Sequence, residues 1–234
     1  MTAATPVFVL VPGAWCRAEI WDAVVERLRT ADQTALALTL SGLEESSIVD
    51  PHAIGLEDHV DDVLRLLDRR DLREVVLVGH SYSGLVVGQV ADRAPVRIAR
   101  TIFLQAFLPV QGRSLLDDFG PDAAAEEARQ IERDGGWWAP PTEDGLAQEP
   151  DLDTNAARAL RSRLTPHPGR TVLGPARMRQ PHTDLDARFV LGADSELPAA
   201  LRDVPPRRIQ RIDAGHYSMI TAPDVVAEVL LSNA

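Results

Sequence analysis

The chain alternates two hydrophobic periods. Apolar-rich segments of strand length recur at "VFVLV" (7–11), "TALALTL" (34–40), "EVVLVG" (74–79), "RTIFLQAFL" (100–108) and "ARFVLG" (187–192), the first apolar throughout, and "RRIQRID" (207–213) reads as a further strand. Runs that are apolar on both faces are what a parallel strand buried on both sides requires. Between them lie segments with one apolar face at helical spacing. Residues 18–31 place Ile20, Trp21, Val24, Val25 and Leu28 on one side, and residues 56–70 place Leu56, Val60, Val63, Leu64 and Leu67 on one side. Residues 82–93 and 222–231 read as further helices. Strands alternating with helices predict an α/β fold: a mainly parallel, doubly wound sheet of about six strands.

Residues 110–186 break the rhythm. They are rich in proline, carry the acidic run "EDGLAQEPDLD" and the pair Trp137–Trp138, and have helical pieces such as 122–133 with no strand between them. An insertion over the carboxyl edge of the sheet accounts for this better than a second core does. The expected organisation is a core of 1–109 and 187–234 with a helical cap at 110–186.

Composition narrows the classes. The 234 residues carry a net charge of −11, which disfavours nucleic acid and anionic membranes as partners. No stretch approaches the roughly 18 apolar residues of a membrane span. The N-terminus lacks the basic and long apolar regions of a secretory signal, and the single Cys16 fits a reducing compartment. A cytoplasmic protein acting on a small-molecule substrate is expected, with a homodimer left open. No histidine–carboxylate pair has zinc-ligand spacing and no glycine-rich loop suits a phosphate, so neither a metal nor a cofactor is expected.

The candidate chemistry starts at "VVLVGHSYSGLVV" (75–87), where Gly79, Ser81, Ser83 and Gly84 sit between two buried runs. A strand that turns sharply into a helix and presents a serine needs small neighbours on both sides. A serine at neutral pH also needs a base, and the base an orienting acid. Asp194 follows the strand 187–192 and His216 follows the strand 207–213, so all three fall beyond strand carboxyl ends in the order Ser, acid, His. That edge is where open parallel sheets bind ligands. An oxyanion needs two N–H donors; the Tyr82 N–H supplies one, and the loop after the first strand, "VPGAWC", offers the Ala14 N–H. Of the other histidines, His80 reads as packed beside the corner and His59 as solvated on its helix, while His52, His167 and His182 lie in proline-rich loops.

These stretches resemble the α/β-hydrolases, specifically the compact branch of the plant methyl-salicylate-type esterases and hydroxynitrile lyases. "FVLVPGAW" is similar to the branch's "FVLVHGAW", and "LVGHSYSG" to "LVGHSYGG"; "IFLQAFLP", "GADSELP" and "GHYSMITAP" resemble its post-corner strand, acid loop and histidine loop. The resemblance implies an α/β-hydrolase fold, a catalytic triad of Ser81, Asp194 and His216, and an oxyanion hole at Ala14 and Tyr82. Pro12 and Ser83 depart from it, standing where the branch has histidine and glycine. The implied reaction is hydrolysis of a small apolar or aromatic ester or lactone through an acyl-enzyme. A non-hydrolytic lyase or cyclase on the same scaffold, or a receptor-like binding protein, stays open. The cyanide-handling lysine of the lyases is missing, because Tyr217 holds its place and the chain has no lysine. Trp15, Ser83, Trp137 and Trp138 are the expected substrate-pocket residues, with the tryptophans equally able to pin the cap to the core.

Overall fold

Successive residues of each central strand enter different cores. In the computed structural model, which describes residues 6–45 and 49–234, Phe8 and Leu10 of β1 (Val7–Val11) pack in one core and Val9 and Val11 in the other. The same division separates Val76 and Val78 from Val75 and Leu77 in β3 (Val75–His80). This is the two-residue period of a pleated strand, with both faces apolar because both are covered. One core is closed by α1 (Asp22–Thr30) and α9 (Pro223–Ser232), the other by α2 (Leu56–Arg69) and α3 (Ser83–Arg93).

The main sheet is six-stranded and parallel. With β2 (Thr34–Ala37), β4 (Ile98–Leu104), β7 (Ala187–Gly192) and β8 (Ile209–Ile212), its order is β2-β1-β3-β4-β7-β8. The chain runs outward from β1 to β2, then returns past β1 to lay down β3. The reversal falls between β1 and β3, so the loops after these two strands diverge and leave a crevice at their carboxyl ends.

Between β4 and β7 the chain forms α4 (Pro121–Arg133), a two-stranded antiparallel ribbon of β5 (Trp137–Trp138) and β6 (His167–Pro168), and the short helices α5 (Glu143–Leu146), α6 (Thr154–Arg161) and α7 (Arg170–Leu173). Ile131, Trp138 and Val172 of this insertion join the α2–α3 core, and Leu146, Ala157 and Leu160 join the α1–α9 core. After β8, α8 (Ser218–Thr221) leads into α9. No helix among the described residues is long and apolar enough to cross a membrane.

The predicted strand over 100–108 ends earlier. β4 stops at Leu104 because Gln105 adopts φ 45°, and the chain then leaves the sheet and crosses the start of α3. The Phe107 N–H donates to the Ser81 carbonyl at 3.0 Å. This crossing explains Gly84: a Cβ there would run into the Phe107 carbonyl oxygen and lie 2.8 Å from the Ala106 Cβ. Backbone cannot yield as a flexible side chain can. Gly84→Ala is therefore expected to lower the unfolding free energy by about 3 kcal/mol, the upper end of ordinary overpacking, read from the urea midpoint at constant m-value.

Candidate active site

Ser81 stands at the corner between β3 and α3 with φ 53°, a left-handed conformation that costs a non-glycine residue about 1–3 kcal/mol. Three backbone hydrogen bonds hold it: Ser81 N–H to the Leu104 carbonyl at 3.3 Å, and Gly84 N–H and Phe107 N–H to the Ser81 carbonyl at 3.1 and 3.0 Å. The corner is tight enough that a Cβ on Gly79 would lie 2.7 Å from the Ser83 carbonyl oxygen. The side chain that this geometry projects, 8% exposed, lies with Oγ 3.1 Å from Nε2 of His216.

His216 follows β8, on the same sheet edge. Burial pushes its pKa down to about 4, opposed in part by the Asp151 carboxylate. The imidazole is therefore neutral at pH 7, with Nε2 able to take a proton from the hydroxyl. His80 packs beside it, ring centroids 4.7 Å apart, and its Nε2–H donates to the His216 carbonyl at 2.9 Å. A carboxylate of the insertion holds the same loop: Asp151 accepts from the Gly215 N–H at 2.6 Å and the Thr221 hydroxyl at 2.8 Å.

The N–H groups of Ala14 and Tyr82 donate no hydrogen bond among the described residues. Both residues are buried, and Tyr82 opens α3, where the helix dipole favours a negative charge. The two departures from the family pattern meet each other here. Ser83 is fully buried, and its hydroxyl donates to the Pro12 carbonyl. Its hydroxyl is thus committed to the β1 loop, and Ser83 does not line the large cavity described below.

Of the two roles open to the tryptophans, the contacts match pinning. Trp15 (φ 63°) and Trp138 pack with ring centroids 4.1 Å apart. Trp15 Nε1–H donates to the Trp138 carbonyl at 3.0 Å, and Trp138 Nε1–H to Glu127 at 2.9 Å. Trp137 pairs with Pro168 across the ribbon. None of the three lines the large cavity; they fasten the β1 loop to the insertion.

That cavity, about 1130 Å³, is lined by His216 but not by Ser81, Ala14 or Tyr82. It is bounded by the turn after β4, the loops after β7 and β8, and residues 149–151. Asp118, Glu149, Asp151, Asp194, Glu196 and Asp213 line it against one cation, Arg113, which is paired with Asp118 at 2.8 Å. Asp194 is exposed and makes no hydrogen bond or ion pair among the described residues, so it shares the cavity lining with His216 without a hydrogen bond to it. The loop carrying Asp194 is braced by Arg211, whose Nη1 donates to the carbonyls of Gly192, Ala193 and Ser195 at 2.8–2.9 Å. Asp186 sits at the opposite end of β7, paired with Arg100 at 3.0 Å. Among the described residues no group of three or more His, Cys, Asp or Glu side chains could hold a metal ion.

Sequence reasoning misses several of these residues. His59 is not solvated: it is wholly buried, with Nε2–H donating to the Ser41 carbonyl and Nδ1 accepting from the Tyr82 hydroxyl, both at 2.9 Å. Its place among Leu56, Val60 and Val63 on the apolar face of α2 is the signal that could have placed it. Glu149 and Asp151 lie in a run whose composition reads only as acidic, and Arg211 in a strand whose pattern reads only as amphipathic.

An open parallel sheet with a left-handed serine corner, a facing histidine and an insertion after the fourth strand defines an α/β-hydrolase-type architecture. The sequence model of the alpha/beta hydrolase family matches residues 8–229, and the chain belongs to that family. Its curated relatives include a carbendazim hydrolyzing esterase from Nocardioides sp., 38% identical over 109 residues (47% of this chain and 45% of that protein). Methylesterase 8 and an alpha-hydroxynitrile lyase of Arabidopsis thaliana are each 34% identical, over 44% of this chain and 38% and 40% of theirs. The matches thus span less than half the length of these relatives. Among solved structures, an extracellular alpha/beta-hydrolase from Paenibacillus, described as sharing structural and functional homology with tobacco salicylic acid binding protein 2, superposes with TM-score 0.83 at 20% identity over 98% of this chain and 99% of its own. Tomato methylketone synthase I has the same fold at TM-score 0.76 and 16% identity, over 99% of this chain and 98% of its own.

The buried imidazoles set a pH dependence of stability. Burial holds His59, His80, His167 and His216 below the ordinary histidine value of about 6.5. Below that pH the unfolded chain binds protons that the folded chain refuses, so unfolding free energy rises with pH across the window and falls on acidification. The urea midpoint is expected to be lower at pH 5 than at pH 7.

Proposed function

We propose that this protein is a serine esterase acting through an acyl-enzyme. The observation that carries the reading is the 3.1 Å approach of Ser81 Oγ to His216 Nε2 at a left-handed strand–helix corner. In this reading Ser81 Oγ attacks the ester carbonyl while its proton passes to His216 Nε2. The carbonyl oxygen becomes an anion facing the free N–H groups of Ala14 and Tyr82. Collapse expels the alcohol, which takes the proton from His216, and water then releases the acid by the same steps in reverse. Asp194, beyond β7 and lining the cavity with His216, is the proposed orienting acid for the imidazolium. Relatives named as an esterase and as methylesterases support this chemistry. A cyanide-handling lyase is disfavoured: Tyr217 follows His216 and is buried, its ring packed edge-on at 5.3 Å.

The cavity lining bears on the substrate. A substrate group reaching past His216 into this cavity would meet six carboxylates and one already paired arginine, which disfavours an anionic group there, beside the apolar surface of Phe107, Leu108, Val110 and Leu191. The class supported best is a neutral, small apolar or aromatic ester or lactone.

Ser81→Ala and His216→Ala are each expected to abolish turnover of p-nitrophenyl acetate, with the double variant little worse than either because the groups act as a unit. Fluorophosphonate should label the parent and not Ser81→Ala; more than about a tenth of the parental rate in folded Ser81→Ala overturns the assignment. Asp194→Asn is expected to lower kcat by about two orders of magnitude or more, as in other triads. The same loss in Asp151→Asn or Asp213→Asn, with Asp194→Asn unaffected, reassigns the acid.

The rate should also follow the neutral fraction of His216. With a pKa of about 4 the acid limb lies near pH 4, and kcat/KM at pH 5.5 should be within twofold of that at pH 7.5. An unperturbed imidazole would leave roughly a tenth.

A further inference from the structure

Trp15 follows the Ala14 donor directly, and three of its polar atoms are held by the insertion. Its N–H donates to Nδ1 of His167 at 3.2 Å, its carbonyl accepts from the Thr165 N–H at 2.9 Å, and its Nε1–H donates to the Trp138 carbonyl at 3.0 Å. His167 and Trp138 are themselves partners across the β5–β6 ribbon. On the other side of Ala14, the Pro12 carbonyl accepts from Ser83. The loop is thus tied at both ends, once to α3 and three times to the insertion.

His167 contacts Tyr82 and the residue that follows Ala14. It is completely buried. Its Nδ1 accepts from the residue beside Ala14, so its proton sits on Nε2, which has no hydrogen-bond partner. Its ring packs edge-on against Tyr82, centroids 4.7 Å apart, and against His59 at 5.5 Å. The far side of Tyr82 is fixed as well, its hydroxyl donating to His59. One imidazole therefore spans the side chain of one donor residue and the backbone next to the other. Without an acceptor at this point the partly buried Trp15 N–H, attached to a left-handed backbone, would lose its partner.

We propose that His167 is a positioning residue of the oxyanion hole: from the insertion it fixes the spacing between the Ala14 and Tyr82 N–H groups through Nδ1 on Trp15 and ring contact with Tyr82. This rests on the serine-esterase reading above. Donors aimed at a developing charge act only when held in place before the reaction. Loosening them weakens transition-state binding more than substrate binding, so the loss falls on kcat and leaves KM.

The test compares three substitutions on p-nitrophenyl acetate, with phenylboronic acid as a probe that forms a tetrahedral adduct on the serine. His167→Leu fills the space without an acceptor, His167→Asn returns an oxygen near the place of Nδ1, and His167→Gln carries its oxygen nearer the place of Nε2. The expected result for His167→Leu is a tenfold or greater fall in kcat, KM within twofold, and weaker phenylboronic acid inhibition by a similar factor. His167→Asn should recover kcat to within about threefold of the parent, and His167→Gln should not. The proposal is overturned if folded His167→Leu loses only melting temperature, or if Asn rescues no better than Leu. Should the Leu variant fail to fold, Asn against Gln decides, and equal kcat values overturn the proposal. Ser81→Ala is measured alongside: if it retains the parental rate, the esterase reading fails and the proposal with it, whereas an inert Ser81→Ala beside an unchanged His167→Leu removes only the role of His167.

Discussion

The left-handed backbone at Ser81 is the constraint around which the surrounding structure is arranged. A strand that ran on, or a helix that began without the corner, would bury the hydroxyl among the apolar residues of β3 and α3. Holding φ at 53° requires outside support, and it comes from β4 and the turn beyond it, which bond the Ser81 N–H and carbonyl. That turn in turn needs the left-handed Gln105 to leave the sheet, and a bare Gly84 to pass over α3. Strain at one residue therefore specifies small or special residues at several others. Trp15, Ser81 and Gln105 all have positive φ, and all lie at or just beyond the carboxyl ends of adjacent strands.

The insertion completes what the sheet leaves unsupported. The β1 loop and the β8 loop are separate in sequence and have no regular structure, yet each must hold a group to a fraction of an ångström if the site is to act. His167, Thr165 and Trp138 grip the first; Asp151 grips the second. The insertion is thus bonded to the groups that face the serine as well as forming a wall of the cavity. The burial this produces explains the depressed histidine pKa values. An imidazole cut off from water loses more hydration in its charged form than nearby carboxylates restore.

The fold was legible because the strands obey one simple rule. Both faces of each central strand are buried, so apolar runs mark them, and the helices between carry one apolar face. The serine and histidine were legible for a related reason, since only a corner needs "GHSYSG" and only a strand end places His216 opposite it. What stayed hidden depends on contacts between residues far apart in sequence. His167 lies 152 residues from Trp15 and Asp151 lies 64 from Gly215, and no local period records either pairing. The tryptophans stayed open in the sequence because size and apolarity suit a pocket wall and a pin equally, while the indole N–H partners of Trp15 and Trp138 are a backbone carbonyl and a glutamate that the sequence does not point to.

The exclusive use of arginine among the 24 basic residues also acquires a structural meaning at the sheet edge. β8 is a four-residue strand paired only with β7, yet it carries the loop that brings His216 to Ser81. A slip between these two strands would move the imidazole by a residue's length. Arg208 prevents this at the amino end, its Nε, Nη1 and Nη2 donating separately to the carbonyls of Ala187, Thr183 and Leu185 while its guanidinium lies 5.4 Å from the centre of the Phe189 ring. Arg211 does so at the carboxyl end, and Gln105 Nε2 ties the Ala214 carbonyl to the end of β4 at 3.0 Å. A lysine ammonium is a single point of donors on a flexible stem, and it could not reach the three carbonyls that the planar fork of Arg208 spans. The distance between Ser81 and His216 therefore depends on two arginines that bond neither residue.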